Sequence, residues 1–332
     1  SGGLDSCVLL QLLASARTTL SFELCAMHIH HGLSSNADTW AEFCRKECLR
    51  LQVPLLIERV NVDRDSSLGI EAEARKLRYA ALFNADIDEL KPDFVVTAHH
   101  QDDQAETLLL QLFRGAGVKG LAGMAAVDNQ KKLMRPLLGI SRCELAEYAQ
   151  LHAISWCEDE SNQNIAYERN FVRHDVMPNL ASRYPAIQSV LARSAAHLAE
   201  AAHLLDDLAQ LDAGSLIKDN TLCLEGLSAI EACRAKNVLR WWFGQNNLVM
   251  PSTEHLNNLF TQLLSVRADA SVQVKLQHLT LRRFQHRAYL CREENPSAEN
   301  LTPYDLVWNG EAELLLPAGG KLLFKEVMGA GL

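Results

Sequence analysis

The feature that most constrains this chain is its opening hexapeptide, Ser-Gly-Gly-Leu-Asp-Ser at residues 1–6, which runs directly into the apolar segment 7–13. Paired glycines let a backbone turn tightly and approach an anion closely. A helix that begins there directs its unpaired N–H groups and the positive end of its dipole toward the same place. The hexapeptide therefore predicts a phosphate-binding loop followed by a helix.

The acid in this loop indicates a cation. No Gly-Lys-Ser/Thr follows, so the loop is not a Walker A motif. Asp5 would lie where a phosphate binds, and two anions at one helix start need a bridging cation, most simply Mg²⁺. The alternative is a glycine turn in which Asp5 or Ser6 only caps the helix.

Charge and cysteine content narrow the class of protein. The net charge of −9 argues against a general affinity for nucleic acid, so any RNA contact must come from local basic patches. Nine scattered cysteines without a Cys-Xaa-Xaa-Cys pair indicate reduced thiols and predict a cytoplasmic location. Cys44 and Cys48, four residues apart, fit core packing better than a metal site. No stretch has the length of a membrane span, and no signal peptide is visible.

Strands alternate with helices from residue 22 to about residue 152. The pattern predicts strands over 22–28, 54–60 and 93–98, and helices over 36–51, 70–90 and 102–114. Such alternation is typical of an α/β fold with a doubly wound parallel sheet, which binds ligands at the carboxyl ends of its strands. A loop of this kind normally follows a buried strand, so we expect the first strand of the sheet to precede Ser1 in the whole protein.

Histidines lie where two of these strands are predicted to end, His30 and His31 after the first and His99 and His100 after the third. Their spacing matches no common zinc motif. We expect one residue of the later pair to contact a nucleotide and the other to pack at the rim of the sheet. The candidates for nucleotide contact are His30 and His99.

Two acids follow the later histidine pair. Asp103 and Glu106 are three residues apart and share one face of the predicted helix. Acids in a first turn often only complement the helix dipole. Glu106, however, lies beyond that turn and directly before an apolar run, which favours binding of an ammonium group or a metal ion.

Five cations near these elements are candidates for anion binding. Arg78 lies on the helix predicted over 70–90, where a guanidinium would bind a carboxylate or phosphate bidentately. Arg114 precedes the glycine-rich segment 115–123, and Lys119 lies within it. The glycines predict a mobile, non-helical loop that approaches a nucleotide or an RNA backbone. The alternative is a plain surface turn. Arg169 and Arg173 lie one turn apart on a helix that is predicted to end before residue 177. The pair would either bind a phosphate or belong to a solvent-exposed face of the helix.

The alternation stops past residue 178. Helices are predicted over 186–212, 227–245 and 252–264, and short strands over 272–276, 279–284 and 287–291. Trp241 and Trp242 fit a core. Basic residues that would contact an RNA backbone lie on one helix and around one strand turn, namely Arg234, Lys236, Arg240, Arg282, Arg283, His286 and Arg287. Short β-like pieces at 313–316 and 321–324 follow a linker.

Seven segments occur in one order over residues 1–180 and together resemble bacterial tRNA(Ile)-lysidine synthetases, a family of the PP-loop ATP pyrophosphatase superfamily. The segments are 1–6, 30–33, 71–79, 97–107, the glycine-rich segment, 135–138, and 159–162 with Arg169, Asn170 and Arg173. The resemblance implies an adenine nucleotide alpha hydrolase-like catalytic domain at 1–182, a smaller, mostly helical tRNA-binding domain at 186–292, and the start of a truncated β-containing domain at 297–332.

The same resemblance implies the reaction and its partners. ATP would adenylate C2 of the wobble cytidine in an isoleucine tRNA with a CAU anticodon, and free L-lysine would then attack through its ε-amine. Ser1, Gly2, Gly3 and Ser6 would hold the phosphates. Further from the loop, Asp103 and Glu106 would bind lysine, as would Arg78. Arg114 and Lys119 would contact the substrate. Arg169 or Arg173 would neutralise the α-phosphate. The sequence leaves a homodimer open.

Two other functions compete with this one. Another PP-loop enzyme, such as a tRNA thiolase or a small-molecule synthetase, would have the same loop. Thiolases that use paired cysteines require a Cys-Xaa-Xaa-Cys motif, which this sequence lacks. A catalytically silent RNA-binding module would keep the fold alone. The presence of Asp5, Asp103 and Glu106 argues against the silent module.

Overall fold

The computed structural model describes residues 1–63, 69–85, 91–265, 272–292, 306–315 and 321–324. The chain divides into two compact units, Ser1–Ala209 (unit 1) and Gln210–Leu332 (unit 2). The finer division predicted near residues 182–186 and 292–297 stays a prediction. No helix in the described ranges combines the length and the apolar character needed to cross a membrane.

Unit 1 opens on a helix and then alternates strands with helices. The first elements are α1 (Leu4–Ala16), β1 (Ala26–His30), α2 (Ala37–Arg50), β2 (Leu55–Arg59), α3 (Ile70–Phe83), β3 (Val95–Val96) and α4 (Gln101–Phe113). Strands β1 and β2 pair in parallel, from Ala26 opposite Leu55 to His30 opposite Arg59. With α2 between them they form the βαβ unit that the sequence predicts.

A second sheet and a group of helices complete unit 1. The remaining elements are α5 (Val118–Leu121), β4 (Val127–Asp128), β5 (Leu133–Met134), α6 (Arg142–Leu151), a 3₁₀ turn (Glu160–Gln163), α7 (Glu168–Phe171), a π-helical turn (Val172–Val176), α8 (Met177–Arg183) and α9 (Ile187–Leu216), whose residues from Gln210 onward belong to unit 2. The strand order is β3-β5-β4, parallel between β3 and β5 and antiparallel between β5 and β4. The predicted parallel strands are therefore present, but they are shared between two small sheets.

Helix α6 shows how the local sequence determines where a helix begins. Ser141 is its N-cap, and its hydroxyl accepts a hydrogen bond from the Glu144 N–H at 3.2 Å. The Glu144 carboxylate in turn accepts one from the Ser141 N–H at 2.8 Å. This reciprocal capping fixes the helix start, and α6 then packs Leu145 against Val8 of α1 in the core of unit 1.

Several boundaries in unit 1 differ from the predictions. The first strand begins at Ala26 rather than at residue 22, because its ladder starts at the bond from the Ala26 N–H to the Pro54 carbonyl. Helix α3 ends at Phe83, and residues 86–90 of the predicted helix lie outside the described residues. The helix of the two arginines does not stop before Met177. It continues as α8, where Pro178 occupies the first turn and needs no intrahelical N–H partner.

Unit 2 contains a helical layer and an antiparallel sheet. Its elements after α9 are β6 (Ile217–Lys218), β7 (Thr221–Cys223), α10 (Leu224–Ala229), α11 (Ala232–Gln245), α12 (Thr253–Ser265), β8 (Gln273–Leu276), β9 (Leu279–Phe284) and β10 (Arg287–Arg292). The strand order is β6-β7-β10-β9-β8. Strands β8 to β10 are predicted by the sequence, whereas the β6-β7 hairpin is not.

The prediction of one continuous helix over 227–245 is wrong, because the segment contains the end of α10 and all of α11. Ile230 takes an extended conformation, with φ −97° and ψ 158°, and separates α10 from α11. Its side chain packs against the apolar core of unit 2. Burial of this β-branched side chain therefore accompanies a break that the helical pattern does not reveal.

The core of unit 2 is hydrocarbon. Trp242 is 1% exposed and its neighbour Phe243 is fully buried, which confirms the predicted core position of the tryptophan. The indole N–H of Trp242 donates to the side-chain oxygen of Asn220 at 2.9 Å, so the one polar atom of the ring is satisfied. Trp241 packs against the same cluster and is partly buried.

The C-terminal residues are described only in part. Strands β11 (Glu313–Leu315) and β12 (Lys321–Leu323) pair antiparallel. The other parts of the domain predicted at 297–332 fall largely outside the described residues. Trp308 stacks on Phe324, with ring centroids 4.7 Å apart.

Candidate active site

The opening loop has a shape that requires glycine at its second position. Gly2 has φ +78°, and a Cβ at that position would lie 3.2 Å from the sulfur of Cys44. The Gly2 carbonyl accepts a hydrogen bond from the Cys157 N–H at 2.8 Å, which anchors the loop to the chain ahead of the 3₁₀ turn. Any other residue would be strained in this backbone conformation.

The loop leads into α1 without a side-chain cap. Gly3 is the N-cap and makes no side-chain hydrogen bond, so Asp5 and Ser6 do not cap the helix. The hydroxyls of Ser1 and Ser6 lie 2.6 Å apart across the loop. The predicted phosphate contacts thus converge on one place, at a helix start whose N–H groups attract anions.

His100 joins this loop to the acids of α4. Its Nε2 lies 3.6 Å from Oδ2 of Asp5 and 3.4 Å from Oδ2 of Asp103, and its Nδ1 lies 3.7 Å from Oδ2 of Asp102. Burial favours the neutral ring, but the three facing carboxylates outweigh burial and raise the pKa of His100 to about 9. At neutral pH the ring is therefore an imidazolium held between acids.

Asp103 and Glu106 form an ionic cluster with Arg169 and Arg173. Arg169 donates to Glu106 Oε2 and to Asp103 Oδ1, both at 2.9 Å. Arg173 donates to Glu106 Oε1 at 2.6 Å and Oε2 at 2.9 Å, and to Asp103 Oδ1 at 3.0 Å. Four side chains predicted separately, as amino-acid contacts and as a phosphate grip, therefore meet in one place.

Asp103 has two functions in the fold. Its Oδ2 accepts a hydrogen bond from the His100 N–H at 3.1 Å and so caps the start of α4. Burial opposes ionisation, but His100 and Arg169 outweigh it and lower the pKa of the carboxyl group. Asp103 therefore both caps the start of α4 and belongs to the ionic cluster.

The two histidines assigned to nucleotide contact lie in different surroundings. His99 Nδ1 is 2.9 Å from the Thr97 hydroxyl, and burial lowers the pKa of His99 to about 4 despite the carboxylate of Asp103. His30 is buried at the end of β1, with Nε2 3.3 Å from Asp38 Oδ1. The roles of both residues stay predictions.

A cleft opens at the carboxyl ends of β1 and β2. Its volume is about 300 Å³, and it is lined by residues 30–33 and 59–62. This is the edge at which a parallel α/β sheet binds its ligands, and the volume is at the lower end of the range for small-molecule pockets. Burial and the charge of Arg78 lower the pKa of His31, so Arg78 lies near this edge as well.

The glycine-rich segment is more regular than predicted. Gly120 lies inside the short helix α5, so the prediction that the glycines exclude a helix is wrong at this position. The Gln104 side chain donates to the Met124 carbonyl at 2.8 Å and accepts from the Met124 N–H at 2.7 Å. A Cβ on Gly123 would lie 2.7 Å from the Gln104 side-chain oxygen, so this glycine allows the close approach.

Arg114 and Lys119 each pair with an acid. Arg114 forms an ion pair with Glu168, the residue directly before Arg169, and so lies beside the cluster. Lys119 forms an ion pair with Asp206 on α9. Both cations are more than one-third exposed, which leaves these surface pairs weak enough to exchange for another anion.

Three residues, His100, Asp102 and Gln104, make contacts that position the site and that the sequence did not indicate. His100 was the candidate for a packed rim position, yet it is the residue that links the loop to the acids. Asp102 accepts a hydrogen bond from the Arg142 N–H at 2.9 Å and fixes the start of α6. Gln104 holds the glycine-rich segment. A histidine directly before a helix, followed two and three residues later by acids, is the signal that could have identified His100.

The thiols near the loop are structural. Cys44 and Cys48 are buried, as predicted, and Cys44 Sγ lies 3.3 Å from His28 Nδ1. Burial raises the pKa of the Cys48 thiol to about 11, which keeps it protonated and unreactive. Across the part of the chain that the structure describes, no three His, Cys, Asp or Glu side chains converge as a metal site.

One exposed sheet face in unit 2 combines aromatic and basic side chains. Arg282 and Phe284 alternate on β9 and point to the same side, and Phe284 is 62% exposed. Arg287 faces Phe284 on β10 and donates to the Thr221 hydroxyl at 2.7 Å. Arg283, on the opposite side of the strand, is 8% exposed, so the predicted basic cluster divides between the two faces.

Comparison with known proteins matches the chain to two domain families and to curated relatives. The PP-loop domain family matches residues 1–180, and the TilS substrate binding domain family matches residues 222–289. A curated tRNA(Ile)-lysidine synthase from Nitrosomonas europaea is 40% identical over 324 residues, which are 95% of this chain and 68% of the relative. The enzyme of the same name from Serratia proteamaculans is 42% identical over 331 residues, 98% of this chain and 74% of the relative.

Among solved structures, the U34-tRNA thiolase NcsA from Methanococcus maripaludis aligns with a TM-score of 0.52 over 60% of this chain and 70% of that chain. Its sequence identity of 20% establishes a shared fold alone. The PP-loop match confirms the α/β fold class and the adenine nucleotide alpha hydrolase-like architecture. From the family match over more than half of its length and from relatives at about 40% identity, the chain belongs to the tRNA(Ile)-lysidine synthase family.

Proposed function

We propose that this chain is an ATP-dependent ligase that converts the wobble cytidine, position 34, of an isoleucine tRNA with a CAU anticodon into lysidine, with release of AMP and pyrophosphate. The observation that carries the proposal is the chain of contacts from Asp5 through His100 to Asp103. It supports one site that contains both the phosphate loop and the acidic pair. The family relatives support the same reaction.

The reaction needs two steps because the O2 oxygen of cytosine is a poor leaving group. In the first step O2 attacks the α-phosphorus of ATP, and pyrophosphate leaves. In the second step the ε-amine of lysine attacks C2, and O2 departs with AMP while the amine loses its proton. Transfer of the adenylyl group thus divides one difficult substitution into two easier ones.

The loop residues would hold the departing pyrophosphate. Ser1 and Ser6 present hydroxyls 2.6 Å apart, and the backbone of Gly2 and Gly3 leads into the N–H groups of α1. Donors fixed in advance at the place where charge develops stabilise a transition state more than the ground state. These four residues are the proposed phosphate contacts.

The surroundings of Asp5 fit a magnesium ion. Its Oδ1 is buried, and among the described residues it has no hydrogen-bond partner. Mg²⁺ usually binds through one or two carboxylates together with substrate phosphates, so a single acid at the loop suffices. When bound there, the ion would neutralise charge on the pyrophosphate group.

Lysine would be held by both of its α-groups. Asp103 and Glu106 are the proposed partners of the α-ammonium, and Arg78 is the proposed partner of the α-carboxylate, with the ε-amine left to reach C2. Arg169 and Arg173 lie on the same acids and would neutralise the α-phosphate during adenylyl transfer.

The adenosine of ATP and the tRNA can also be assigned to binding residues. The adenosine of ATP would occupy the cleft that begins at His30, and His99, which follows β3, is the second proposed nucleotide contact. Arg114 and Lys119 would exchange their surface ion pairs for phosphates of the anticodon loop. Unit 2 would bind the tRNA through basic side chains such as Arg282, consistent with its match to a substrate-binding family.

The test is pyrophosphate release from ATP by the full chain. We expect release with CAU-anticodon isoleucine tRNA and Mg²⁺, lysidine only when lysine is added, and no release when the tRNA is replaced by one with a different anticodon. Asp5→Asn should lower the rate by at least about 100-fold, because it weakens the cation site. Asp207→Asn, an exposed acid on α9, is the matched control and should leave the rate unchanged.

Two outcomes would contradict the proposal. Release that depends on a small metabolite instead of tRNA would indicate another PP-loop enzyme. No release with any tRNA would indicate an RNA-binding module that keeps the fold without the chemistry.

A further inference from the structure

The acids proposed to bind lysine are covered by arginines. The side chain of Glu106 is 3% exposed and that of Asp103 is 11% exposed, whereas those of Arg169 and Arg173 are 22% and 27% exposed. The guanidinium groups therefore form the layer between the carboxylates and solvent. An incoming ammonium group cannot reach either acid while both arginines stay in place.

Charge leads to the same conclusion. Two carboxylates face two guanidinium groups, and Asp103 also lies 3.4 Å from the His100 ring, so the charges of both acids are neutralised before any substrate binds. Each carboxylate already accepts three hydrogen bonds. A further cation would bring an unbalanced charge into a poorly solvated place, which is costly. The ammonium of an amino acid is a good ligand here only after an arginine has left.

A bound triphosphate would give the arginines another partner. Asp103 is separated from Asp5 of the phosphate loop by one imidazole ring, that of His100. Phosphate oxygens match the planar guanidinium fork as well as a carboxylate does, and they carry more negative charge. An arginine that turns from the acids to the nucleotide therefore keeps charge-assisted hydrogen bonds.

The backbone beside the second arginine has an unusual form. Arg173 lies in the π-helical turn Val172–Val176, between the α-helical segments α7 and α8. π-helical turns within α-helices are rare and are frequent at functional sites. A return of this turn to α-helical geometry would change the direction of Arg173 relative to Arg169, so the segment has a means of moving one guanidinium.

We propose that Arg169 and Arg173 act as a latch over Asp103 and Glu106, and that the nucleotide phosphates open it, so that the amino acid binds after the nucleotide. This inference rests on the proposed function, because it takes the acidic pair as the ammonium site. The arginines then have two partners in succession, the acids before nucleotide binding and the phosphates after it. The order prevents lysine from occupying an enzyme that has no ATP to use.

The test is a calorimetric titration of L-lysine into the full-length chain, with and without Mg²⁺ and α,β-methylene-ATP, which cannot release pyrophosphate. We expect lysine to bind at least about tenfold more tightly with the analogue. Because coupling is reciprocal, lysine should tighten binding of the analogue by the same factor.

Variants of the latch make the test specific. Arg173→Gln leaves the acids with one arginine, so lysine should bind more tightly without nucleotide and the effect of the analogue should fall to less than about twofold. Arg169→Gln is the second variant if the first does not fold. Arg50→Gln, whose guanidinium pairs with Glu47 on the exposed side of α2, is the matched control and should keep the full nucleotide dependence.

Equal lysine affinity with and without the analogue overturns the latch. So does full nucleotide dependence in both arginine variants, or the absence of lysine binding under every condition. Pyrophosphate release that depends on tRNA is measured without lysine and is independent of these results. Failure of the latch is thus distinguishable from failure of the proposed function.

Discussion

The two units bury different kinds of side chain. Among the described residues, eight polar or charged side chains are buried in unit 1 and three in unit 2. In unit 1 they include His100, Asp103 and Glu106, which lie against each other or against arginines. In unit 2 the largest buried side chains are Trp242 and Phe243.

The difference separates the sources of stability and function. Burial of hydrocarbon stabilises a fold directly, at about 25 cal/mol per Å² of apolar surface. A buried ion pair contributes little net stability, because desolvation of the charges offsets their attraction. The charged cluster of unit 1 is therefore better explained by ligand binding than by stability, whereas the core of unit 2 needs no ligand to account for it.

The largest expected effect is in the core of unit 2. Trp242→Ala removes a fully buried ring and leaves Asn220 without its indole donor, so we expect a loss of about 3–5 kcal/mol in the free energy of unfolding. Urea unfolding followed by circular dichroism measures it. Leu211→Ala, at a position 78% exposed, should change stability by no more than about 0.5 kcal/mol.

A small loss in Trp242→Ala would break the comparison. It would mean that the apolar cluster of unit 2 is not its main source of stability. The variant should also keep its pyrophosphate release at temperatures where it stays folded, because the loop and the acid–arginine cluster lie within unit 1.

The next effect is the response of unit 1 to acid. Burial lowers the pKa of His28 to about 4 from an ordinary value of 6.5, so below pH 6.5 the unfolded chain binds a proton that the folded chain does not. Stability should therefore fall as the pH drops from 6.5 toward 4, by roughly 3 kcal/mol at about 1.4 kcal/mol per pH unit.

Urea unfolding at several pH values checks this prediction. His28→Asn should make the fall in stability toward acid pH shallower, although His99, whose pKa is also lowered to about 4, still contributes to it. His197→Asn, a change at an exposed residue on α9, should leave the fall unchanged. His100 has the opposite dependence. Its raised pKa contributes stability below pH 6.5 that is lost as the pH rises through about 9. An acid limb that is the same in wild type and His28→Asn would contradict the assignment.

The smallest effect concerns the surface of unit 2. Arg282→Ala and Phe284→Ala remove exposed side chains from one face of β9, so their cost in stability should be slight. We expect each to weaken tRNA binding by about tenfold, through a lost phosphate contact or a lost stacking surface. Filter binding over a range of salt concentrations distinguishes them, since only Arg282→Ala should reduce the salt dependence.

Arg193→Ala, an exposed cation on α9, is the control for loss of charge alone. Equal weakening in this variant would show that the whole basic surface, and not the face of β9, contacts the RNA. That result would break the comparison, because Arg193 belongs to unit 1 and RNA binding would then not be particular to unit 2.

The sequence predicted most elements because their patterns are local. The strand β9 has the predicted bounds, and the cap of α6 by Ser141 is equally local, since capping depends on residues three apart. The break at Ile230 and the continuation of the helix past Met177 were not predicted. Both depend on contacts or backbone geometry that a propensity pattern does not contain.

By itself the sequence determined the α/β class, and it predicted the phosphate loop and most of the candidate residues of the site. Only the tertiary structure decided their partners. Asp103 and Glu106 are separated from Arg169 and Arg173 by more than sixty residues, and no local pattern shows that they form one cluster. Nor does the sequence show that His100 is the link to Asp5. The physical reason is that charge and burial are set by what lies across the fold, while propensity and periodicity are set by neighbours along the chain.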